Sequence, residues 1–173
     1  MFQMFFPDEY VKSIDSIDFD KLYKEGYRGV IFDIDNTLVE HGKDATPKVI
    51  DFFEKIKKMG WNSCLLSNNK EERVKRFNCH IGTNYIFKAN KPFKKNYKRA
   101  CEKMGTSFEN TIFVGDQLFT DVWGAKRSGI RNILVEPIDK KEEIQIVLKR
   151  YFERIVLYFY KRNRKCSKKM VEK

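Results

Sequence analysis

Asp33 and Asp35 stand two residues apart at the end of a short apolar run, and this pair is the strongest chemical signal in the chain. Two carboxylates this close repel one another unless a cation or a shared proton relieves them. A hard divalent ion is the simplest relief. Magnesium in particular takes one or two carboxylates together with waters and a phosphate oxygen. Asp116 and Asp121 add two further carboxylates, and Ser67 adds a hydroxyl behind a second apolar run. Any one of these residues alone reads most simply as a loop or cap residue. Their common placement is what points to a site.

That placement follows from the elements before each residue. Gly29 through Ile34 is β-branched and aromatic, and reads as a buried strand. Thr46 and Pro47 open a helix, Val49, Ile50, Phe53, Ile56 and Met59 repeat along it, and Gly60 ends it. Trp61 to Leu66 is the next strand and ends at Ser67–Asn68–Asn69. Short helices are expected over 19–25 and 71–77, and a small strand over 85–87. The stripe Phe93, Tyr97, Ala100, Cys101, Met104 predicts a helix over 92–104, stopped by Gly105. Thr111 to Val114 is a strand followed at once by Gly115–Asp116, and a helix is expected over 119–128. Asn132 to Val135 is the last clear strand. Alternating strands and helices imply an α/β domain with a mostly parallel sheet, helices on both faces and right-handed crossovers. In such sheets ligands bind beyond the carboxyl ends of the strands, near a switch in strand order. Asp33, Ser67 and Asp116 should therefore converge on one crevice.

With these motifs in place the sequence resembles the haloacid dehalogenase-like phosphatase superfamily. Asp33–Ile34–Asp35–Asn36–Thr37 resembles its DxDxT signature, and Leu66–Ser67–Asn68–Asn69 its second motif. Lys91 before Pro92 resembles its motif lysine, and Gly115–Asp116 through Asp121 its GDxxxxD motif. All four stand in family order, and the likeness spans about residues 27–136. It implies a Rossmann-like core. It also implies Asp33 as the nucleophile that forms an aspartyl-phosphate, and Asp35 as the acid and then base. Ser67, Asn68 and Lys91 would bind the phosphoryl group. Mg2+ would be held by Asp33, the Asp35 carbonyl and Asp116. Asp121 would support the ion from behind or orient Lys91, and Thr37 would bond locally in the turn after the nucleophile. A true carboxylic acid at position 35 favours phosphate-ester hydrolysis over dehalogenation.

The gaps between motifs add a constraint. Asp33 to Ser67 and Ser67 to Lys91 are too short to hold a cap domain, so a single domain with an uncovered site is expected. Such a site suits a large phosphomonoester, because a small sugar phosphate needs more enclosure. The whole chain resembles a narrower group, the bacterial and mitochondrial lidless phosphatases linked to phosphatidylglycerophosphate. The likeness includes Pro7, Tyr10 to Ile14 and Gly115 to Gly129. It implies conversion of that lipid to phosphatidylglycerol.

The net charge is +11, and residues 140–173 carry twelve Lys or Arg against four Glu, so most of the excess lies in one C-terminal region. Such a region can meet an anionic membrane, nucleic acid or an acidic partner, or can simply be a solvated helix end. One or two helices are expected over about 139–165, with Ile144, Val147, Leu148, Tyr151, Phe152 and Ile155 as an apolar face. Aromatics at 151, 152, 158, 159 and 160 beside Arg154, Lys161, Arg162, Arg164 and Lys165 fit a peripheral membrane segment. The bland alternative is that they cover the sheet edge or a dimer interface. No nucleic-acid-binding motif is visible, which weakens a phosphatase for nucleic-acid ends or phosphoproteins. A non-catalytic binding protein is disfavoured by the intact acid, serine and lysine set. Cys64, Cys79, Cys101 and Cys166 form no CxxC pair, so a zinc or thioredoxin-like site is unsupported. Thiols of this kind, and a start with no basic leader, fit a cytoplasmic chain, peripheral at most to the inner face of a membrane.

Overall fold

The apolar runs pair into one parallel sheet. The structure, a computed structural model, describes residues 2–139 and 144–171, with side chains described over 2–139 and 150–163. The strands are β1 Glu9–Val11, β2 Gly29–Phe32, β3 Asn62–Leu66, β4 Asn84–Ile86, β5 Thr111–Gly115 and β6 Arg131–Val135. Their order is β1-β6-β5-β2-β3-β4, and every neighbouring pair is parallel. The helices are α1 Phe19–Lys24, α2 Pro47–Lys58, α3 Glu71–Asn78, α4 Lys94–Met104, α5 Trp123–Ser128 and α6 Ile144–Val171.

The sheet is buried on both faces, as parallel sheets must be. Along β2 the side chains alternate: Val30 and Phe32 join the cluster under α1, α2 and α3, while Ile31 joins the cluster under α4 and α5. Thr46 caps α2 by accepting from the Val49 N–H at 3.3 Å, with Pro47 behind it.

Chain order reverses at the middle of the sheet. From β2 the chain moves outward through β3 and β4, then returns to β5 on the other side of β2. The ends of β2 and β5 therefore flank the crevice where a ligand is expected. Among the described residues no domain is inserted between Asp33 and Ser67 or between Ser67 and Lys91.

Three elements differ from the sequence reading. β1 was not expected: its three residues carry no clear alternation, and only pairing with β6 makes them a strand. The helix expected over 119–128 begins as a π-helical turn, Leu118–Val122, in which the Val122 N–H reaches back to Gln117 O at 3.2 Å. That wider turn brings Asp121 back toward the strand end, as π turns at functional sites often do. The C-terminal region is one helix, α6, whose buried Glu153, Val156 and Tyr160 share a face toward the fold. Tyr151, Phe152 and Ile155, expected on the apolar face, are exposed instead. The side chains of Ile144, Val147, Leu148, Arg164 and Lys165 lie outside the described residues.

Close approach explains Gly115. A Cβ there would stand 2.5 Å from Asp121 Oδ2 and 2.7 Å from its Cγ. Gly115→Ala is expected to lower stability by about 1–3 kcal/mol through overpacking. Urea unfolding of the two proteins checks this, and a variant within about 0.5 kcal/mol of wild type would contradict it.

Candidate active site

Three strand ends deliver the site. Asp33 follows β2, and its N–H donates to Val114 O of β5 at 3.0 Å. Asp116 follows β5 directly, and Ser67 follows β3, with its N–H bonded to Ile86 O at 3.0 Å. The carboxylates of Asp33, Asp116 and Asp121 gather so that one oxygen from each lies within 4.8 Å of the others, all buried. At an effective dielectric near 20, each such pair repels by about 3–4 kcal/mol. The cluster therefore requires cations.

Lys91 is the first. Its Nζ lies 2.6 Å from Asp33 Oδ1 and 2.8 Å from Asp121 Oδ1. Its loop is tied to the Ser67–Asn69 turn from several sides. The Lys91 N–H donates to Asn68 Oδ1 at 2.8 Å, Ala89 N–H to Ser67 O at 2.9 Å, and Lys88 N–H to Asn69 O at 2.8 Å. Burial disfavours the Lys91 charge, but the carboxylates of Asp121 and Asp33 outweigh it and hold the ammonium above its ordinary range. Asp121 is in turn fixed, its Oδ2 accepting from the Gln117 N–H at 3.1 Å.

Arg150 is the second cation and arrives from α6. Its Nη2 pairs with Asp116 Oδ2, while Nη1 donates to Asp116 O at 2.7 Å and to Glu153 Oε2 at 2.9 Å. Glu153 also accepts from the Leu118 N–H at 2.7 Å. Burial pushes the Asp33 carboxyl up to about 7 against the pull of Lys91, with Asp121 adding to the rise. Asp116 is raised as well, by burial first, with Arg150 opposing.

Asp35 stands apart from this cluster. Its Oδ1 accepts from the Gly42 N–H at 2.7 Å and from Arg73 Nη2 at 3.0 Å, and its Oδ2 from Asn69 Nδ2 at 2.6 Å. Its carboxylate is thus not a ligand in the acidic cluster, which leaves its backbone carbonyl as the group it can offer an ion. Asn36 holds the intervening turn at a φ of 63°, a conformation that asparagine tolerates.

Two expected roles need correcting. Thr37 does not bond only locally: its Oγ1 donates across the crevice to Asp116 Oδ1 at 3.1 Å. The turn of Ile34 to Val39 folds the hydroxyl back over the β5 end, a reach that sequence distance conceals. The Asn68 side chain holds the backbone of Lys91, so any phosphoryl contact from this residue falls to its N–H. The site is also less open than expected, because α6 reaches Asp116.

The donor set fits magnesium. Lys91 takes one oxygen of Asp33, and no described residue bonds the other. Asp116 offers a second hard oxygen beside it. Asp121 is held by Lys91 and the Gln117 N–H and anchors Lys91. Arg73, Asn69, Arg150 and Glu153 are contacts that the motifs did not reveal. For Glu153 a signal existed: it is the only acid between residues 144 and 171, on a helix otherwise basic and apolar.

A family model described as haloacid dehalogenase-like hydrolase matches residues 39–129. The match includes Ser67, Lys91, Asp116 and Asp121 and begins after the Asp33–Thr37 segment, whose place rests on the geometry above. A Bacillus subtilis (strain 168) protein, named probable phosphatase YqeG, is 41% identical over 161 residues, covering 92% of this chain and 94% of that protein. An Arabidopsis thaliana protein, named phosphatidylglycerophosphate phosphatase 1, chloroplastic/mitochondrial, is 28% identical over 170 residues, which is 92% of this chain and 48% of that protein. NagD from E. coli K-12 shares the fold, with a TM-score of 0.54 at 15% identity over 70% of this chain and 91% of that one.

The raised carboxylates give a pH prediction. A carboxylate with a raised folded pKa binds more protons folded than unfolded. For Asp33 that contribution is full below its ordinary value of 3.8 and is lost as pH rises through the folded value of about 7. Protein stripped of divalent ions is expected to lose melting temperature from about pH 5 to about pH 8, with magnesium restoring more at the higher pH. Thermal scans with and without magnesium check this. Greater stability at pH 8 than at pH 5 without ions would contradict it.

Proposed function

The chain belongs to the haloacid dehalogenase-like hydrolase family, and within it we propose a magnesium-dependent phosphomonoester hydrolase that works through an aspartyl-phosphate. The observation that carries this reading is the buried Asp33 at the sheet's switch point, with Lys91 at 2.6 Å and Asp116 beside it. Asp33 attacks phosphorus, and Lys91 neutralises charge gathering on the transferring group. The Ser67 hydroxyl and the backbone N–H groups of the turn after it hold the phosphoryl oxygens. Asp33, Asp116 and the Asp35 carbonyl would hold Mg2+, which supplies charge neutralisation and orients the phosphoryl group. Asp35 gives a proton to the leaving oxygen, then takes one from the water that hydrolyses the intermediate. The acceptor-only contacts it makes with Arg73, Asn69 and Gly42 match the second half of that cycle.

The substrate we favour is a large lipid phosphomonoester, phosphatidylglycerophosphate, converted to phosphatidylglycerol. Three things support it: no inserted lid, a relative named for that activity, and a basic C-terminal helix with outward aromatics. Tyr151, Phe152 and Tyr158 are 63%, 53% and 61% exposed, beside Arg154, Lys161 and Arg162. Such a face lies flat at an anionic surface. No helix among the described residues is long and apolar enough to cross a membrane. The outward basic, aromatic face is the reason we propose a peripheral place for the protein at the inner face of a membrane.

Phosphate release from this lipid in mixed micelles with magnesium, against small esters, phosphopeptides and nucleic-acid ends, tests the substrate. Fast turnover of another class with none of the lipid would overturn it. Asp33→Asn is expected to cut turnover of any accepted substrate by roughly 10⁴-fold or more. Full activity of that variant would remove Asp33 as nucleophile.

A further inference from the structure

The Asp35 carboxylate is gripped from the start of α3. Asn69, just before that helix, donates from Nδ2 to Oδ2 at 2.6 Å. Arg73, one turn further on, donates from Nη2 to Oδ1 at 3.0 Å. The Gly42 N–H reaches the same Oδ1 at 2.7 Å. The two oxygens are thus held unequally. Oδ1 takes two donors, which fill both of its lone pairs, while Oδ2 takes one and keeps a lone pair. A proton on Asp35 therefore belongs on Oδ2.

Arg73 is the charged member of the three donors, and charge-assisted bonds are the stronger kind. The Arg73 and Asp35 side chains are only 12% and 11% exposed. The guanidinium lies 5.5 Å from the centroid of the buried Phe77 ring. Its Nη2 does the bonding, donating also to Lys43 O at 2.6 Å. Nε and Nη1 are buried without a hydrogen-bond partner among the described residues. Buried donors left unpaired cost stability.

A neighbour shows that tying the loop to α3 does not require that cost. Arg76, half-exposed, bonds Asp44 Oδ1 at 2.6 Å and Gly42 O at 3.1 Å. Both arginines hold the loop of residues 42–44 to α3, and of the two only Arg73 carries the hold through to Asp35.

Resting on the hydrolase reading of the preceding subsection, we propose that Arg73 is the positioning residue for Asp35. It anchors Oδ1 and so sets Oδ2 as the atom that carries the proton. In the first step an Asp33 oxygen bonds phosphorus, the bond from phosphorus to the leaving oxygen breaks, and the Oδ2 proton passes to that oxygen. In the second step a water oxygen bonds phosphorus, the bond to Asp33 breaks, and Oδ2 takes a proton from the water. In the first step a displaced Oδ2 is felt only where the leaving oxygen needs a proton.

The test is kcat/KM of the full chain with magnesium, on phosphomonoesters whose leaving alcohols run from an alkyl alcohol to para-nitrophenol. That ratio reports transfer to Asp33 and not the later hydrolysis. Arg73→Met is expected to lose roughly 10²-fold on the alkyl ester and less than about threefold on the nitrophenyl ester. Its rates then depend on leaving-group acidity more steeply than those of wild type. Arg73→Lys keeps the charge without the flat guanidinium. It is expected to fall between, and it carries the test should the methionine variant fail to fold. Arg76→Met, which loosens the same loop without touching Asp35, is expected to keep the wild-type dependence. Equal losses across the series in the Arg73 variants, no loss at all, or the same steepening in Arg76→Met overturns the proposal and leaves the hydrolase reading standing. A wild type that releases phosphate from no ester removes both.

Discussion

The buried ammonium of Lys91, held between Asp33 and Asp121, is the contact on which the rest of the site depends. It allows two carboxylates to sit together out of water, and it fixes Asp33, the proposed nucleophile. Removing one member of such a buried set typically costs about 3–5 kcal/mol, because a charge is left without its partner. Much of the surrounding structure serves this contact. Gly115 is bare because Asp121 fills the space its side chain would take. The π turn of Leu118–Val122 brings Asp121 into reach, and Asn68 clamps the backbone of Lys91. Tyr97 fills the interior beside the π turn, its hydroxyl donating to Thr120 O at 3.0 Å.

One cation does not balance three acids, and further cations reach the acids from outside the core motifs. Arg150 crosses from α6 to Asp116, while Arg73 on α3 pairs with Asp35 at 3.0 Å. Asp33 and Asp35 are thereby given different surroundings. Asp33 sits in a buried cluster that favours its protonated form unless a metal is present, whereas Asp35 faces a fan of donors. The same α6 that supplies Arg150 turns Tyr151, Phe152, Tyr158 and Phe159 outward.

Much of this was legible in the sequence. Apolar runs ending in Asp33, Ser67 and Asp116 located three strand ends, and alternation with helices implied the parallel sheet. Asp121 was read as a further carboxylate behind Asp116, Lys91 came through resemblance, and the structure unites both with Asp33. What escaped was long-range or weakly patterned. β1 has three residues and becomes a strand only beside β6. Thr37 looked like a local turn residue because nothing in its neighbourhood announces a partner seventy-nine positions away. Arg150 and Arg73 were two among thirty-five Lys and Arg, and only folding separates the pair that meets the acids from the many that face water. The helix itself was legible from its apolar spacing, and Glu153, a lone acid on it, was the clue to where it meets the loop after β5.

The central claim is that Asp33 becomes covalently phosphorylated. The most direct test is to quench the protein during turnover with magnesium and substrate, reduce it with borohydride, and map the product by mass spectrometry. An aspartyl-phosphate is reduced to homoserine, so homoserine at position 33 alone is the predicted result. Reduction at Asp35 or Asp116 instead, or none at any aspartate while phosphate is being released, would contradict it.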